Sequence, residues 1–78
     1  MSITGTGEFS VYWYDAEDGQ HEELRFVPAA EAWRAVSRLT KGPAAILGIV
    51  NRVIITDGGD FCNFDWRKGE GVVFGPGA

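Results

Sequence analysis

The chain contains one cysteine, Cys62, and one histidine, His21. A lone cysteine excludes an intrachain disulfide, and no Cys/His cluster offers a structural zinc. Long hydrophobic runs are missing too. The longest nearly uninterrupted one, Pro43 to Val50, is far short of the roughly 20 residues a membrane-spanning helix needs. The opening MSITGTGEF has neither a positive n-region nor an apolar h-region, so no secretory signal is read there. A single thiol suits a reducing compartment, and the expected location is the cytoplasm. Basic residues are scarce: seven Lys and Arg stand against eleven Asp and Glu, for a net charge of −4. This disfavours direct binding to nucleic acid, which neutralises phosphates with clustered Lys and Arg. It is compatible with a basic protein partner, and also with plain solubility.

With 78 residues there is room for one domain, 1–78, in which residues 1–7 and 75–78 read as loose ends. A chain this short buries only about 60% of its unfolded surface, so without staples it depends on dense apolar packing. Trp13, Trp33 and Trp66, with Phe9, Phe26, Phe61, Phe64 and Phe74, supply that mass. A homodimer that buries further surface is compatible with this composition.

Two hairpins and a helix organise the chain. Phe9, Val11 and Trp13 alternate with Ser10, Tyr12 and Tyr14 in a strand pattern; Asp18-Gly19 turns the chain, and Glu22–Val27 returns with Leu24 and Phe26 inward. Pro28 ends that strand and suits a first helical turn. From Ala29 to Thr40, the residues Ala29, Ala32, Trp33, Val36 and Leu39 form one apolar stripe, and Gly42-Pro43 stops the helix. Pro43 to Gly48 is expected as a short second helix. Val53–Thr56 and Phe61–Trp66 flank Asp57-Gly58-Gly59-Asp60, whose glycines accept the positive φ of a tight hairpin. Val72–Phe74 is a candidate fifth strand.

The order β-β-α-β-β, with four strands or five, predicts an α+β fold: an antiparallel sheet with one main helix on one face. The residues expected on the helix side are Phe9, Val11, Trp13, Leu24, Phe26, Val53, Ile55, Cys62, Phe64 and Trp66. The opposite face would carry Tyr12, Tyr14, Arg25, Ile54, Phe61, Asn63 and Asp65.

No catalytic signature emerges. Counted from Asp15, a calcium loop would need its glycine at position 6 and glutamate at 12, and finds Gln20 and Phe26 there. Asp57 and Asp60 read as turn-forming aspartates on an exposed tip that gives no desolvation to separate two carboxylate pKa values. Cys62 reads as a small core hydrophobe, which leaves His21 without a nucleophile. Arg34, Arg38 and Lys41 read as a solvated helix flank. The expectation is a protein that is not an enzyme and takes no cofactor.

Three segments, FSVYWYDAEDG at 9–19, RVIITDGGD at 52–60 and NFDWRKGEGVVF at 63–74, resemble a group of small phage and prophage proteins. More narrowly, the chain resembles the anti-CRISPR proteins directed at the type I-C Cascade. That resemblance implies a protein in the host bacterial cell that binds the surveillance complex and prevents recruitment of target DNA. It marks no binding residues. Physical reasoning points to two acidic edges for a basic DNA-binding surface: Asp15, Glu17, Asp18, Glu22 and Glu23 on one, and Asp57, Asp60 and Asp65 on the other. The rival expectation is a homo-oligomeric structural or accessory phage protein joined through Tyr12, Tyr14, Ile54 and Phe61.

Overall fold

Seven elements follow one another in the computed structural model: β1 (Phe9–Tyr14), β2 (Gln20–Val27), α1 (Ala29–Lys41), α2 (Pro43–Ile46), β3 (Arg52–Thr56), β4 (Cys62–Arg67) and β5 (Gly71–Phe74). The structure describes residues 8–78, and the expected lead-in over 1–7 lies outside them. The strands form one antiparallel sheet in the order β2-β1-β3-β4-β5. The fold is α+β, with one main helix and with the fifth strand in place. No helix among the described residues is long and apolar enough to cross a membrane.

Period-2 alternation puts one row from each strand under α1. The register aligns Leu24, Val11, Ile55 and Phe64 across four strands, and His21, Trp13, Val53, Trp66 and Val72 across five. Val11, Val53, Ile55 and Phe64 are buried; Trp13, Leu24, Trp66 and Val72 pack against them partly buried. Each fully buried aliphatic or aromatic side chain contributes about 1.5–3 kcal/mol.

Two inward assignments are overturned, each by a bulge. Between the pairs Phe9↔Val27 and Val11↔Leu24, two steps on β1 face three on β2. The extra residue lets Val27 turn inward. It leaves Phe26 61% exposed, in the left-handed region at φ 53, with its N–H donating to Ser10 Oγ at 3.2 Å. Between Ile55↔Phe64 and Thr56↔Cys62, one step on β3 spans two on β4. Cys62 therefore joins the face of Thr56 and is exposed instead of filling the core.

The helix departs from its expected stripe by one position. α1 buries Ala29, Ala32, Ala35, Val36 and Leu39, and Ala35 is fully covered while Trp33 stays 37% exposed at its flank. The small alanine face lets α1 sit close on β1, β2 and β3, where its contacts concentrate. Trp33 reaches across toward β4 and meets Phe64 edge to face, with ring centroids 5.0 Å apart. Pro28 stands one residue earlier than expected, at the N-cap in extended geometry, and its carbonyl accepts the N–H groups of Glu31 and Ala32. The helix ends at Gly42 in an extended conformation, and Pro43 opens α2. Residues 75–78 form a turn closed by Ala78 N–H to Gly75 O at 3.0 Å. Gly75 is at φ +94, against the Asn63 carbonyl, where a Cβ would collide.

Candidate functional site

Both hairpin tips use one device. In each, an aspartate N–H donates to the carbonyl four residues on: Asp15 to Gly19, and Asp57 to Phe61, both at 3.0 Å. The same aspartate's carbonyl accepts the N–H of a second aspartate three residues on, Asp18 or Asp60. That second aspartate takes the left-handed conformation, φ 64 at Asp18 and φ 62 at Asp60, so the hairpin is turned there and not at Gly58 or Gly59. Asp15 Oδ1 accepts the N–H groups of Glu17 and Gly19, each at 2.9 Å, and Asp57 Oδ1 accepts those of Gly59 and Phe61 at 2.9 and 3.1 Å. The Asp-x-x-Asp spacing shared by both loops is the sequence signal for this.

These bonds hold both turn carboxylates ionised. Asp15 lies below its ordinary value, first because His21 bonds to it at 2.9 Å and then through the Gly19 and Glu17 N–H groups. Asp57 lies below its own, first through the Asn63 side chain and then through the Gly59 and Phe61 N–H groups.

The two tips sit at opposite ends of the sheet, since Tyr14↔Arg52 and Ser10↔Thr56 are the outer pairs of β1 with β3. Their electrostatic surroundings differ. At the first tip the acids have basic company. Glu22 faces Arg25 at 3.6 Å and Glu23 faces Arg38 at 2.9 Å, while Asp18 shares a cleft with Glu70 and the three bases Arg52, Arg67 and Lys68. Asp65, expected with the second edge, is buried on the sheet face away from α1 and clamped by Arg52 and Arg67. Glu17 and Asp60 are exposed, and their carboxylates have no hydrogen-bond or ion-pair partner among the described residues.

At the second tip lies a feature that the strand and helix patterns do not show. A groove of about 250 Å³ opens between α1 and the sheet. Its floor is Phe9, Ile55 and Phe64; Ala29, Ala32 and Trp33 form the helix wall, and Pro76 closes one side. Glu8, Asp57 and Asn63 are polar groups in its lining, and among the described residues no Lys or Arg lines it. α1 is centred on the β2-β1-β3 half of the sheet, and Trp33 at its flank reaches Phe64 beside the groove. The β4 bulge places Asn63 here, although simple alternation sends it to the far face. An apolar slot with carboxylates at its mouth can hold an apolar group that stands beside a cation.

The remaining expected site residues are dispersed. On the far face, Ile54 is 8% exposed and already buried within its own chain, whereas Tyr12 and Tyr14 are half-buried. Phe61 is 73% exposed but lies in the loop before β4. Arg34, Arg38 and Lys41 do share a shallow surface depression. His21 stacks on Trp13 at 4.1 Å, at the opposite end of the sheet from Cys62, so these two are not brought together. Among the described residues, no group of three His, Cys, Asp or Glu side chains is arranged to hold a metal ion. No family model, curated protein or solved structure matches this chain.

Proposed function

We propose that the chain is a non-catalytic inhibitor that docks the Asp57/Asp60 end of its sheet on a basic protein surface. That surface is the DNA-binding region of the type I-C Cascade, covered so that target DNA is not recruited. The partner is suggested by the resemblance of segments 9–19, 52–60 and 63–74, and the choice of face by the structure. The observation that carries the reading is the uneven company of the acids: Arg and Lys accompany the Asp15–Glu23 edge and clamp Asp65, while among the described residues none lines the groove beside Asp57. Duplex DNA carries about one charge per 1.7 Å of axis. Two or three carboxylates at one end copy too little of that to act as a mimic. Inhibition then works by occupancy, with charge steering the encounter.

The test is co-purification with a type I-C Cascade, followed by a target-DNA binding assay at two salt concentrations. The reading expects association and loss of DNA binding, both weaker at high salt because exposed charges are screened within about 8–10 Å. Asp60→Lys should weaken association more than Glu17→Lys at the opposite tip. No association, or equal effects of the two reversals, refutes the assignment. The second reading, a homo-oligomeric accessory phage protein, draws on the exposed Phe61, Val73 and Phe74. A dimer by light scattering that leaves Cascade untouched favours it.

A further inference from the structure

We infer that the groove beside Asp57 is an anchor pocket for one apolar side chain, flanked by Lys or Arg, on a partner protein. This rests on the proposed docking to a basic surface and names what that surface must present.

Size decides the class of occupant. Small-molecule and cofactor sites run to roughly 300–1,000 Å³, and a cavity of about 150 Å³ already takes a benzene ring. At about 250 Å³ the groove fits a single leucine, methionine or phenylalanine side chain. Its walls are apolar: Phe9, Ala29, Ala32, Trp33, Phe64 and Pro76. Trp33 stands 37% exposed at the edge, braced at 5.0 Å by Phe64, so a large rigid ring meets the incoming group without first having to be ordered. Charge complementarity then selects the flanks. Asp57 lines the groove with Asp60 on the same tip, and among the described residues no base lines it. An acidic peptide or a nucleotide is repelled there, and an apolar side chain with cationic neighbours is favoured. A second copy is the competing occupant, because the exposed Ile46 and Leu47 follow Lys41 in this chain.

The experiment titrates the ¹⁵N-labelled full chain with three capped peptides: Lys-Arg-Leu-Arg-Lys, the same with Gly for Leu, and Glu-Glu-Leu-Glu-Glu. The first should shift the Trp33 indole and the Ala32 and Phe64 amides. Replacing its leucine should weaken binding about 10-fold or more, the worth of a buried leucine. The acidic peptide should leave these signals in place. Asp57→Asn keeps the turn acceptor and removes the charge, and should weaken the cationic leucine peptide roughly two- to five-fold. Ala29→Met, which fills the groove, should remove binding while the spectrum remains that of a folded chain. Equal binding of the leucine and glycine peptides, or shifts confined to Glu17 and Asp18, overturns the inference. So does a Trp33 shift that grows with protein concentration alone and tracks dimer formation by light scattering. If Ala29→Met still associates with Cascade, the anchor is wrong and the docking reading stands. If the peptide binds but Cascade does not, the docking reading fails and the pocket stands.

Discussion

Arg52 holds both carboxylate oxygens of Asp65 from the neighbouring strand, with Nε at 3.0 Å and Nη2 at 2.8 Å. The contact is diagonal, since Arg52 is registered opposite Arg67 and Asp65 opposite Ile54. Arg67 adds a second contact at 3.3 Å, and the Arg52 guanidinium lies 5.2 Å over the Tyr14 ring. Burial works to raise the Asp65 pKa, but the bonds from Arg52 and Arg67 outweigh it and hold the group below its ordinary value. The Asp65 side chain is only 8% exposed, so removing its main partner leaves a buried charge on one long hydrogen bond. Arg52→Ala should cost about 1.5–3 kcal/mol in urea unfolding, the range for hydrogen bonds to charged groups. Arg52→Lys should recover only part, because an ammonium cannot make the two-pronged contact. A loss below about 0.5 kcal/mol for Arg52→Ala would show that Arg67 alone suffices.

Acid should destabilise this protein through its turn and sheet carboxylates. Asp15, Asp57 and Asp65 all sit below the ordinary value of 3.8 when folded. A depressed folded pKa stabilises above the unfolded value, and that contribution is lost as pH falls through the folded value. Unfolding midpoints in urea should therefore begin to fall near pH 4 and continue downward below it. Asp15→Asn, which keeps the acceptor for the Glu17 and Gly19 N–H groups, should shorten that fall. An unchanged acid slope in this variant would contradict the role given to Asp15.

Phe26 and Phe64 should respond oppositely to truncation. Phe64 is 3% exposed under Trp33, and Phe64→Ala should cost about 3–5 kcal/mol. Phe26 is 61% exposed at φ 53, a conformation costing an L-residue roughly 1–2 kcal/mol. Phe26→Gly relieves that strain, and should leave stability unchanged or raise it by up to about 1 kcal/mol, partly offset by a freer unfolded chain. A large loss at Phe26 would place its ring in the core.

Asp60 separates stability from recognition. Its φ of 62 favours glycine and its carboxylate has no partner among the described residues. Asp60→Gly should hold or raise the thermal midpoint and at the same time weaken association with a basic partner. Equal association would remove Asp60 from the docking face.

Cys62 should react under native conditions. Its residue is exposed, although the thiol donates to the Phe64 carbonyl at 3.3 Å. A thiol reagent should label it fully without denaturant, at a rate that does not track unfolding. Labelling only on global unfolding would restore it to the core.

Where local chemistry decides, the residues were enough. Alternation in FSVYWY, the proline and glycine around Ala29–Lys41, and the Asp-Gly and Gly-Gly loops specify strands, helix and the places where the chain reverses from neighbours a few positions apart. Those signals yield an antiparallel α+β sheet with a helix on one face, and the fifth strand as a candidate. They cannot place a bulge, because adding one residue to a ladder depends on how two strands align across space. For that reason Phe26, Cys62 and Asn63 lie away from the faces that alternation predicts.

The candidate site was legible only as a list of acids. Which of them stands apart from bases depends on pairs distant in sequence: Arg52 with Asp65, Arg38 with Glu23, and Asp18 near Lys68. The groove has no sequence signature at all. It lies beside an α1 that sits over β1, β2 and β3 with Trp33 reaching Phe64 at its flank, and that offset is a property of packing. The sequence by itself determined the elements, where the chain reverses and the net charge. Tertiary structure alone decided which charges are cancelled and where the core stays open, because both follow from distances between residues that the chain order does not set.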